Sequence, residues 1–105
     1  MLDTSAPRPA YRDPACTETD RVADLLGRMT AAEKLMQLRL EPRIDRLAAD
    51  PAAGPRYPSL VHGLGATYCT GSFDPDAFNR VQRFLVEETR LGIPLIMMGE
   101  SVPGC

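Results

Sequence analysis

The run Ile93-Pro94-Leu95-Ile96-Met97-Met98, which follows Gly92, constrains the fold more than any other segment. It is apolar, uncharged and far shorter than the roughly 20 residues needed to cross a bilayer. Such a run after a glycine is the pattern of a strand buried on both faces of a parallel sheet. The segment before it predicts a helix from Pro75 to Arg90. Asp74 stands at the N-cap, Pro75 at the first helical position, Ala77, Val81, Phe84 and Leu85 supply a buried stripe, and Gly92 ends it. Upstream again, Leu64 to Cys69 is short, bounded by glycine and contains Thr67 and Tyr68, so it reads as a strand. Strand, helix and strand joined by short connections make a βαβ unit, with parallel strands and the helix packed across both. The expected class is α/β.

Two helices are predicted ahead of this unit. Val22, Leu25, Leu26 and Met29 fall at i, i+3, i+4 and i+7, one apolar stripe facing a core, with Thr17 or Thr19 as N-cap and an end near Met29. Thr30 followed by Glu33 is a capping-box pattern that starts a second helix at Ala31. That helix carries Leu35 and Leu38 inward and stops before Pro42, with a further short turn through Ile44, Leu47 and Ala48 up to Pro51. Pro51 to Ser59, with three prolines and a glycine, reads as a linker loop. Residues 1–16 contain Pro7, Pro9 and Pro14 and no apolar period, which predicts an extended surface arm ahead of a domain covering 17–105.

Charge and composition exclude several classes of partner. Twelve basic residues are interspersed with fourteen acidic ones for a net charge of -2, and nothing resembles the basic stripe that a phosphate backbone requires. Nucleic acid is therefore not an expected partner, and neither is a membrane. The first 20 residues hold no apolar signal region. Cys16, Cys69 and Cys105 are odd in number and widely spaced, which fits neither a disulfide framework nor a zinc site and points to a reducing cytoplasm. No cofactor or metal is expected.

Arg21-Val22-Ala23-Asp24-Leu25-Leu26-Gly27-Arg28-Met29-Thr30, Glu33-Lys34 and Gln37-Leu38 together resemble the opening signature of family 3 glycoside hydrolases. Tyr11, Asp13 and Pro14 resemble its lead-in. Asn79, Gln82, Glu88, Thr89 and Arg90-Leu91-Gly92-Ile93-Pro94 resemble the first barrel helix and the approach to the second barrel strand. The likeness runs from about Tyr11 to Gly104. It implies the N-terminal fragment of a TIM-type (β/α)8 barrel, with leading helices and about two parallel strands, from a retaining β-glucosidase or β-xylosidase. Most of the matching residues have structural work by their chemistry alone: Leu25, Leu26 and Met29 as core, Thr30 and Glu33 as a cap, Asn79 and Gln82 facing solvent or a neighbouring loop.

Glu100 stands apart. One glycine after the apolar run, it belongs at the carboxyl end of a parallel strand, the edge where barrel enzymes keep substrate residues. The resemblance implies that it hydrogen-bonds hydroxyls of the sugar next to the scissile bond, a task suited to a carboxylate that accepts several charge-assisted bonds. The family has histidine before the following glycine, whereas this chain reads Glu100-Ser101-Val102-Pro103-Gly104, and proline supplies no donor in its place. The sole histidine, His62, has no assignable acid or nucleophile partner and is read as a loop residue.

Retaining hydrolysis uses two carboxyl groups. By the resemblance, the nucleophile is an aspartate late in the barrel within a Ser-Asp-Trp-like stretch and the acid/base comes from a later domain. This sequence contains no tryptophan, and a whole barrel takes about 250 residues. The expectation is a front fragment, inactive and aggregation-prone alone, whose partners are a β-linked glycoside and the remainder of the enzyme. Two other readings compete: a non-catalytic module docking on a full-length relative, and a small enzyme pairing Glu100 with Asp74 or Asp76.

Overall fold

The structure is a computed structural model that describes residues 6–42, 44, 58–69 and 74–99. It divides into two compact units, Met1–Thr30 and Ala31–Cys105.

In the first unit a single 3-10 turn, Ala10–Arg12, lies against helix α1, Glu18–Arg28. Of the two candidate caps, Thr17 takes the position: its hydroxyl oxygen accepts from the Asp20 N–H at 3.2 Å. Glu18 and Asp20 in the first turn and Arg28 in the last complement the helix dipole. The arm is therefore not extended throughout. Tyr11 pins its turn to the helix, donating its backbone N–H to Asp24 Oδ2 at 3.0 Å and accepting from Arg21 Nε at its carbonyl at 3.2 Å. Asp24 also accepts from Arg28 Nε at 2.9 Å. The Tyr11 amide, ahead of Arg28, holds the Asp24 carboxyl below its usual range, against a smaller opposing effect of burial.

The apolar stripe of α1 does not behave as the sequence predicts. No residue of the helix is buried; Val22 and Leu26 are exposed, and Leu25 and Met29 are only half-buried. A three-residue turn is too small to cover a stripe of that length.

The second unit contains helix α2, Ala31–Gln37; strand β1, Leu40–Glu41; a 3-10 turn, Pro58–Leu60; strand β2, Ala66–Cys69; helix α3, Pro75–Glu88; and strand β3, Ile96–Gly99. The sheet order is β1-β2-β3 and both pairings are parallel. Leu40 and Glu41 align with Ala66 and Thr67, while Ala66, Thr67, Tyr68 and Cys69 align with Ile96, Met97, Met98 and Gly99. The expected parallel βαβ unit is present, with α3 between β2 and β3. Asp74 caps α3 by accepting from the Asp76 N–H at 3.0 Å, Pro75 opens it, and Ala77, Val81, Phe84 and Leu85 are its buried residues, all as the sequence predicts.

Other expectations are corrected. The helix from Ala31 ends at Gln37, and the residues before Pro42 form β1, a strand the sequence reading does not contain. Leu35 and Leu38 do not point inward; they are 69% and 85% exposed. The inward residues are the buried Glu33 and the half-buried Met36, which packs against the core. The reason lies in how the chain leaves this short helix. Leu38 and Arg39 donate to the carbonyls of Leu35 and Met36, while Gly65 and Ala66 donate to those of Met36 and Arg39, so the exit is stitched to β2 and fixes which side of α2 faces in. Gly65 is required at this crossing, because a Cβ there would stand 2.0 Å from the carbonyl oxygen of Gln37.

The Ile93 to Met98 run is also divided. Only Leu95 enters the core; β3 begins at Ile96, and its residues are exposed, Ile96 to 67%. Among the described residues the apolar run is therefore not buried on both faces. The core joins Leu60, Leu64, Val81, Phe84, Leu85, Leu95 and Ile44, with Met36 and Phe78 packed against it. Each large side chain so buried contributes about 1.5–3 kcal/mol. Among the described residues, no helix is long and apolar enough to cross a membrane. Leu47, Ala48, residues 51–57 of the linker and Glu100 lie outside the described residues.

Candidate functional site

Parallel pairing brings the carboxyl ends of all three strands to one edge. β1 finishes at Glu41, β2 at Cys69 and β3 at Gly99, with Cys69 and Gly99 in register. In sequence, Glu100 comes directly after Gly99. At this edge β1 and β2 are tied together by a side chain. Thr67, buried on the central strand, donates its hydroxyl to the Glu41 carbonyl at 2.7 Å. The Glu41 carboxylate, on a half-buried side chain, accepts from Arg39 at 3.0 Å.

Glu41 is thus a second acidic residue at a strand's carboxyl end. Sequence reasoning misses it because a two-residue strand shows no alternation. Asp74 and Asp76, the carboxylates considered as partners for Glu100, are exposed at the start of α3, and Asp74 spends one oxygen on the helix cap.

The opposite edge is held together by a different pair. Glu33 accepts from Arg90 at both carboxylate oxygens, from Nε at 2.9 Å and from a terminal guanidinium nitrogen at 2.6 Å. The capping-box glutamate therefore has its carboxylate engaged 57 residues away in sequence. Glu33, Gln37, His62, Gly63, Thr89 and Arg90 help to line a shallow depression beside this bridge. His62 is exposed there, beside Gly63, whose φ of 96° lies in the left-handed region. Ile93 and Gly63 precede β3 and β2, so the depression belongs to the amino ends of the strands, away from the edge that leads to Glu100.

Of the two polar residues on α3 singled out by the sequence, Asn79 is exposed. Gln82 instead reads a backbone: its Oε1 accepts from the Leu95 N–H at 2.9 Å and its Nε2 donates to the Leu95 carbonyl at 3.1 Å. It thereby fixes the segment that delivers β3. Among the described residues, no three His, Cys, Asp or Glu side chains cluster to hold a metal ion. No protein-family model matches the chain, and no curated protein matches it.

Proposed function

We propose that this chain is the front part of the (β/α)8 barrel of a family 3 glycoside hydrolase. In the intact enzyme it binds hydroxyls of a terminal β-linked glucose or xylose through Glu100, while the catalytic carboxylates come from the remainder of the enzyme. The observation that carries this reading is the strand order. Three parallel strands follow one another as neighbours in sequence order, so their carboxyl ends share an edge, and Glu100 is the next residue after the last of them. That run of neighbours is what a barrel repeats, and barrel enzymes keep substrate residues at those ends. The likeness of residues 11–104 to the family supports the same reading.

Retaining hydrolysis needs two carboxyl groups about 5–5.5 Å apart, held in a protected site that sets their pKa values. On this reading the chain has one substrate-binding carboxylate, Glu100, and neither of the two catalytic groups. The chain alone is therefore a weak sugar binder without turnover, acting in the reducing cytoplasm to which its three unpatterned cysteines point.

The test is to titrate the isotope-labelled chain with methyl β-glucoside and methyl β-xyloside, following the amides of Cys69 and Gly99, and to assay aryl β-glycosides in parallel. Shifts at the carboxyl edge that vanish in Glu100→Ala, without turnover, support the proposal. Shifts that persist in Glu100→Ala, or appear only around His62, reject the assigned site. Turnover lost in Glu100→Ala replaces this reading with the small-enzyme one.

A further inference from the structure

We draw no further inference here: the strongest candidate, the exposed apolar patch that Leu40, Ile96 and Met98 present on one face of the three-stranded sheet, carries nothing because nothing in the structure shows what covers it.

Discussion

Substituting Arg90 by methionine keeps most of the stem and removes the guanidinium that engages both oxygens of Glu33. The Glu33 side chain is 8% exposed and that of Arg90 is 55% exposed. Removing one partner from a fully buried pair costs about 3–5 kcal/mol, because a charge is left without compensation. Here one partner is half in water, so solvent can reach the vacated carboxylate and the loss should fall to about 1.5–3 kcal/mol. For a domain of this size each kcal/mol corresponds to about 4–8 °C in Tm, so the drop should be on the order of 10 °C. Glu33→Gln, which leaves a neutral amide inside and lets Arg90 turn to water, should cost less, about 0.5–1.5 kcal/mol. The assay is urea unfolding of both single variants and the double variant. Equal m-values and a coupling of about 1 kcal/mol or more are expected. An Arg90→Met loss under about 0.5 kcal/mol, or a coupling near zero, would refute the argument that this bridge closes the amino edge of the sheet.

Three further outcomes follow from the same geometry. Gly65→Ala forces a Cβ against the backbone of Gln37, which cannot swing aside as a side chain can, so the loss should reach about 3 kcal/mol and the β1–β2 amides should exchange rapidly. Thr67→Val keeps the volume but leaves the Glu41 carbonyl without its hydroxyl donor, which should cost about 1–2 kcal/mol in urea unfolding. Asp24 has its pKa lowered on folding, so its stabilising contribution is present above the unfolded value near 3.8 and is lost as pH falls through the lower folded value. The Tyr11 amide, followed by NMR, should keep its bonded shift at pH 4 and lose it only at more acid pH; loss with a midpoint at or above 3.8 would contradict this.

The sequence by itself determined the elements whose signals lie within a turn or two of chain. Asp74 and Pro75 start α3, the spacing of Ala77, Val81, Phe84 and Leu85 fixes its buried face, and Thr17 caps α1, because caps and helical period depend on neighbours three and four residues away. The parallel pairing of β2 and β3 was legible too, since a helix between two short strands leaves few other connections. It also led to the edge that precedes Glu100, the one candidate site residue read from sequence. Which faces are covered was decided only by the tertiary structure. Leu35 and Leu38 have the spacing of a buried stripe, yet the stitched exit to β2 turns Glu33 and Met36 inward in their place. Within its own unit α1 buries none of its residues, and the residues of β3 are exposed. Glu33 finds Arg90, Gln82 finds the Leu95 backbone, and Glu41 joins the carboxyl edge through a strand too short to show a period. Apolar periodicity says that a face is fit to be buried; whether it is buried depends on what packing from distant parts of the chain brings against it.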